Sequence, residues 1–194
     1  MIRDWCQPAK SISVVSALRW GMADPRPHVG EPLALDLLNT VWMSADGPQD
    51  LLKDVPGLRT WLVANGLDER CPADEKTRAA LVRARDAVLR AVADNDIDEL
   101  NAVLDHGRVR RILAETGPRE EPDVARPEWL PGWLAADDLL RLLAVAPGRI
   151  KQCAHEHCVL WFHDTSKNGT RRWHSMTTCG NRAKAARHYA AKRD

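Results

Sequence analysis

The 194-residue chain has no apolar run near the roughly 18 residues that a membrane-spanning helix needs. Its opening, "MIRDWCQPAKSISVVSALRW", breaks its apolar positions with Ser and Arg, and sets Asp4 where a secretory signal carries positive charge. The expectation is a cytoplasmic protein with no membrane partner. Cysteine is scarce and odd in number, at five, and Cys6 and Cys71 stand alone, which argues against a disulfide framework. In a reducing compartment, clustered cysteines more often bind metal or act in catalysis than pair. No internal repeat is visible, and no Ser/His/Asp arrangement, paired-carboxylate signature or phosphate-binding Gly loop. An enzyme is therefore not expected.

Net charge is also nearly absent, at +1, but it is unevenly placed. Residues 150–194 hold nine Lys and Arg against three acids, a net of +6. The remaining 19 basic and 24 acidic residues leave the rest of the chain at −5. A basic tail on an acidic body implies parts with different partners. Hydrophobic residues make up 44% of the chain, enough for a core in one medium domain or a domain with a small appendage.

Periodicity organises the body. Residues 1–30 show none and end in Pro- and Gly-rich "MADPRPHVGEP", so they read as a loose leader, with Met22 a possible alternative start. "EPLALDLLNTVW" predicts a helix with an apolar stripe of Leu35, Leu38 and Trp42 and a second face of Asp36, Asn39, Thr40 and Met43. "PGLRTWLVANGL" predicts a short helix stopped at Asn65-Gly66. "CPADEKTRAALVRARDAVLRAVAD" predicts a long helix with Asp74 as N-cap, an apolar side of Leu81, Val88, Leu89 and Val92, and a polar side of Arg83, Asp86 and Arg90. "DIDELNAVLDHG" predicts a helix closed by Gly107, and the "TGPREEP" turn cluster makes "RVRRILAETGPREEPDVARPEW" a hairpin or an irregular excursion. Helix returns at "LAADDLLRLLAVA" and stops before Pro147-Gly148. The expected class is mainly α (α+β), with a helical N-terminal domain over 31–147 and a small C-terminal unit over 148–194.

That last unit concentrates metal-binding side chains. "CAHEHCVLWFHDTSKNGTRRWHSMTTCGNR" holds three of the five cysteines and four of the seven histidines. Structural zinc takes four Cys or His ligands, commonly as two close pairs. Cys153 and Cys158 form one pair, and Cys179 belongs to the other. His174 completes a symmetric C-x4-C-x15-H-x4-C spacing. His155, His157 and His163 compete for the fourth place, but the first two lie inside the first knuckle and His163 lies beyond the "VLWFHD" strand. A segment with few large apolar residues (Val159, Leu160, Trp161, Phe162, Trp173) is too small to fold alone, so one structural Zn2+ is the expected staple. Inert core thiols are the alternative.

The stretch over about residues 150–193 resembles the CGNR zinc finger. Cys153, Cys158, Asp164, Ser166, Asn168, Arg172, Trp173, the Cys179-Gly180-Asn181-Arg182 run and Lys184 all fall in place. "LALDLLNTVW" resembles the start of the ABATE domain, which precedes this finger in bacterial stress-induced transcriptional regulators. The family pattern has Cys after the Trp where this chain has His174. The resemblance implies a DNA partner, and the expected protein is a zinc-dependent DNA-binding transcriptional regulator with a treble-clef or ribbon-like finger. A protein-interaction or RNA-binding module is the alternative, and a zinc hydrolase, which needs an open metal site, is less expected.

The tail "CGNRAKAARHYAAKR" reads as a helix beginning near Cys179, with Ala183, Ala186 and Ala190 on one face and Lys184, Arg187 and His188 on the other. Lys167, Arg171, Arg172, Lys184, Arg187, Lys192 and Arg193 are the candidate nucleic-acid contacts, a solvated helix being the alternative. Arg182 is expected to pair with Asp164, and Trp161 and Trp173 to form the finger's core. Asp36, Asn39 and Thr40 could line a pocket for a small-molecule effector, or form a satisfied buried network or an exposed face. A homodimer is open.

Overall fold

The computed structural model describes residues 23–190, with side chains described to residue 185. The expected leader lies outside the described residues as far as residue 22, and so do Lys192, Arg193 and the side chain of Arg187.

The helix predicted from "EPLALDLLNTVW" is one short piece, α1 (Leu33–Leu38). Asn39 and Thr40 end it, because each side chain turns to partners elsewhere. Thr40 Oγ1 donates back to the Leu37 carbonyl at 2.7 Å, while the β-favouring Val41 and Trp42 open a hairpin of β1 (Val41–Ser44) and β2 (Gly47–Asp50). Leu35, Leu38 and Trp42 are all buried, but Trp42 reaches the core from a strand. Met43 is exposed and does not share a face with the buried Asp36, Asn39 and Thr40.

Two helices follow the sequence closely. α2 (Val55–Ala64) starts where the Asp54 carboxylate accepts from Gly57 N–H at 2.8 Å, and ends at Asn65-Gly66 with Gly66 at φ +64°. α3 (Glu75–Ala93) starts where Asp74 accepts from Thr77 N–H at 2.8 Å. Its buried face differs from the expected one. Ala80, Leu81, Ala84, Arg85, Ala87 and Val88 face inward, while Leu89 is 41% exposed. The small residues let α5 (Leu130–Val145) approach closely, and Gly132 sits at the contact. A Cβ there would stand 2.7 Å from that of Ala84.

α4 (Asp98–Leu104) ends at Asp105, before Gly107, which instead opens β3 (Gly107–Ala114). A side chain at Gly107 would collide with Val124 and the Trp133 indole. β3 pairs with β4 (Gly117–Val124) in the expected hairpin. Arg108–Asp123, Arg110–Glu121 and Arg111–Glu120 form a cross-strand ladder at 2.8, 2.9 and 3.0 Å. The pairs are exposed, so each contributes a few tenths of a kcal/mol, about 1 at most.

The final 40-odd residues add the hairpin of β5 (Ile150–Gln152) and β6 (Trp161–His163), then α6 (Asn181–Ala190). Among the described residues the class is mainly α, with three separate two-stranded antiparallel sheets and a small C-terminal Cys/His unit. The tail does not stand apart. Leu160 and Trp161 belong to the same apolar cluster as Leu35, Trp61, Leu81 and Leu139. Burying two such side chains contributes about 1.5–3 kcal/mol each. Among the described residues no helix is long and apolar enough to cross a membrane.

Candidate metal centre

β5 and β6 are joined by the first knuckle, and its register is fixed by Cys153 N–H donating to the Leu160 carbonyl at 2.8 Å. The tight turn Cys158 N–H to His155 carbonyl, 2.9 Å, brings Cys158 back over Cys153. The second pair comes from a π-turn, Met176–Gly180, leading into α6. Ser175 caps it by accepting from Thr178 N–H, so the wide turn places Cys179 opposite His174. A hairpin knuckle plus a helix start is consistent with a small zinc finger.

The Sγ atoms of Cys153, Cys158 and Cys179 and a ring nitrogen of His174 all lie within 4.8 Å of one another. Tetrahedral zinc with bonds of about 2.3 Å to sulfur has ligand–ligand edges of about 3.8 Å, so the four need to contract by about 1 Å at most. Three thiols and an imidazole are a zinc donor set, and the four residues fit one structural Zn2+. Four protein ligands leave no position for a reacting water. Bound zinc would supply cross-linking of the two knuckles.

The electrostatics suit a metal. Burial pushes the Cys158 thiol up to about 12, helped by the neighbouring Cys153 and Cys179, and burial likewise raises Cys179. Without a cation these thiols hold their protons; a cation displaces them. Burial, with His28 and Arg171 nearby, lowers His174 to about 4, so its imidazole is in the neutral, ligating form. His174 Nδ1 is 3.5 Å from Cys158 Sγ, and its ring packs on His28 at 4.9 Å.

The other three histidines lie outside this set. His155 and His157 stand on the rim of the first knuckle, their rings 5.9 Å apart. His163 is at the far end of β6, where its backbone N–H donates to Glu31 at 2.8 Å.

Asp164 organises the loop behind the centre, but not through Arg182 as the sequence suggested. Its partner is Lys151, at 2.7 Å. Asp164 also accepts from the Ser166 hydroxyl at 2.6 Å, Ser166 N–H at 3.0 Å and Arg171 N–H at 3.0 Å. The Lys151 ammonium and the Ser166 hydroxyl hold this buried carboxyl well below the usual carboxylate range. Arg149 adds a bond to the Asp164 carbonyl at 3.0 Å and another to the Ser166 carbonyl. Neither Lys151 nor Arg149 was singled out by sequence, since nothing in spacing separates a basic residue that buttresses from one that faces water.

The candidate nucleic-acid residues divide. Lys167, Arg172 and Lys184 are exposed. Arg171 instead faces inward, donating to the carbonyls of Trp173 (2.9 Å) and His174 and lying 4.6 Å over the Phe162 ring. Trp173 is half-buried beneath Arg172, at 5.3 Å, while Phe162 and Trp161 are buried. Arg182 is exposed and is not among Asp164's partners.

Asp36, Asn39 and Thr40 are buried and bonded to protein. Asp36 takes Arg26 at 2.7 Å, Asn65 at 3.1 Å and Gly30 N–H at 3.2 Å. Thr40 accepts from Arg85, which grips Asp50 through both carboxylate oxygens at 2.7 and 2.8 Å. Asn39 receives Trp161 N–H at 2.8 Å and donates to the Trp161 carbonyl at 3.0 Å, extending β6 as a neighbouring strand would. Sequence placed this residue among pocket candidates; nothing in it tells that the partner lies 122 residues away.

Residues 149–192 match the family model of the CGNR zinc finger. Residues 31–147 match the model described as ABATE, "Putative stress-induced transcription regulator". No curated protein matches the chain. With more than half of its length matched by ABATE and the zinc ligands gathered in the segment that follows, the chain belongs to the ABATE family and carries a CGNR zinc finger.

Proposed function

We propose that the protein is a zinc-dependent DNA-binding transcriptional regulator, in which residues 148–194 contact DNA and residues 31–147 sense a signal or mediate assembly. One observation carries this reading. Lys167, Arg172 and Lys184 are exposed on the zinc-stapled segment and have no carboxylate partner among the described residues. On the body's hairpin, by contrast, Arg108, Arg110 and Arg111 each meet a carboxylate across the strands. Unpaired cations on a rigid support suit phosphates, which fix position without reading sequence.

Arg171 is not among the proposed contacts, since its guanidinium braces the second knuckle. Three to six phosphate contacts per chain give a slope of log K against log[salt] of about −3 to −5, doubled in a homodimer. A salt titration of the zinc-loaded full chain on one duplex checks this. A flat salt dependence would instead favour a protein-interaction role for the same surface.

A further inference from the structure

Above the metal centre lies a cleft of about 250 Å3 between body and finger. Pro27 and His28 form its body side, and His155, His157, Thr178 and Arg182 its finger side. Cys158, His174 and Cys179 form the floor. We propose that this cleft is an oxyanion site of the phosphate class, with Arg182 as its anchor.

Three observations converge. Arg182 is exposed at the cleft and has no acidic partner among the described residues, unlike Lys151, Arg149 and Arg171, whose side chains are all engaged within the finger. His155 Nδ1 accepts from His157 N–H at 3.3 Å, so its ring proton is on Nε2 and that edge is a donor. Thr178 lines the cleft beside them, with its side chain hydrogen-bonded to Cys179. An arginine fork with a further donor in a concave, partly enclosed space matches a tetrahedral oxyanion better than an apolar or cationic ligand.

The opposing charges are few. Three thiolates and a neutral His leave zinc at a formal −1, less negative than a four-thiolate site. Among the described residues no carboxylate lines the cleft; the nearby Glu31 bonds to His28 at 2.9 Å, and Glu156 stands beside His157 at 3.4 Å. Arg182 therefore faces the cleft as its one full positive charge among the described residues. A phosphate held there touches both body and finger and would bear on how firmly they close together. Its source is a DNA backbone or a free phosphate-bearing molecule; only the first rests on the DNA-binding reading.

The test uses inorganic phosphate and the zinc-loaded full chain at ionic strength fixed with chloride. Saturable one-site binding is expected by calorimetry, weakened about tenfold by Arg182→Gln, in line with loss of one charge-assisted contact. Arg182→Lys should retain most of it, and Arg70→Gln, on the body surface, all of it. A second measurement needs no variant. With Co2+ in place of zinc, a phosphate in the cleft lies beside a paramagnetic ion, so its 31P line should broaden beyond that seen with the zinc form.

Non-saturable binding, equal affinity in Arg182→Gln, or equal 31P line widths would overturn the proposal. The source is read from DNA. If it is a backbone phosphate, phosphate competes with duplex and Arg182→Gln lowers the salt slope by about one. If it is a free molecule, the DNA complex still binds phosphate and the slope is unchanged. DNA binding without phosphate binding defeats the cleft alone; the reverse outcome defeats the DNA reading alone.

Discussion

The body and the finger solve the same problem, buried polar groups, in opposite ways. In the body, Asp36, Asn39 and Thr40 are fully surrounded by protein donors and acceptors, so nothing further is needed to hold them. In the finger, Cys153, Cys158, Cys179 and His174 converge with little but one another for company, and burial drives His174 and two of the thiols towards their uncharged forms. A satisfied network is complete in the polypeptide. A converged ligand set is complete only with a cation. The body's helices therefore should survive conditions that dismantle the finger, except where the two share a core at Leu160 and Trp161.

Metal removal tests that difference most severely. A chelator should strip hydrogen-exchange protection from residues 150–185 while α2 and α3 keep most of theirs. Loss should also reach α1, because Asn39 and Glu31 bond to β6. Unchanged protection in the finger after metal removal would show that the apolar contacts suffice and that zinc is not the staple.

Acid should act next most strongly. His174 is lowered from 6.5 to about 4, so the folded state disfavours its protonation and the unfolded state takes up the proton first. Its contribution is fully present above about pH 6.5 and is lost as pH falls from there towards 4. Zinc release followed by a colorimetric chelator should rise through that window. His174→Cys should shift that release profile and His163→Ala should not; an unshifted profile in His174→Cys would remove His174 from the ligand set.

Substitution narrows the comparison to one ligand. His174→Ala should weaken zinc binding by about 100-fold or more, a quarter of the roughly 10–16 kcal/mol of a four-ligand site. His174→Cys should retain metal, and His163→Ala should leave affinity nearly unchanged, both measured by competition with a chelator of known affinity. A larger loss in His163→Ala than in His174→Ala would reverse the assignment.

The smallest expected effect lies at the joint. Asn39→Ala leaves the N–H and C=O of buried Trp161 without their partner, at about 1–3 kcal/mol for each unsatisfied group. Urea unfolding of the zinc-loaded chain should show a loss of about 2–4 kcal/mol. Unchanged stability would mean that body and finger are coupled through apolar contact alone.

Sequence legibility differed between the same two regions, for a physical reason. Asp74 caps its helix through a bond three residues away, so the pattern that creates it is local and can be read directly. The zinc set was legible because metal geometry demands paired donors, and spacing within each pair records that demand. α1 was overestimated because Asn39 leaves the helix for Trp161, a preference no local pattern carries. Arg85 was missed as a core residue because its burial depends on Thr40 and Asp50 standing ready to receive it.

By itself, the sequence determined the helical class, the family and the cysteine donors, with His174 favoured as the fourth, since each rests on short-range periodicity or on the spacing of a few residue types. Only the tertiary structure decided which basic residues face water. Lys151, Arg149 and Arg171 bind carboxylate and carbonyl groups inside the finger, while Lys167, Arg172, Arg182 and Lys184 remain exposed. A cation's role depends on the acceptors that folding brings within about 3 Å of it, and those come from distant parts of the chain.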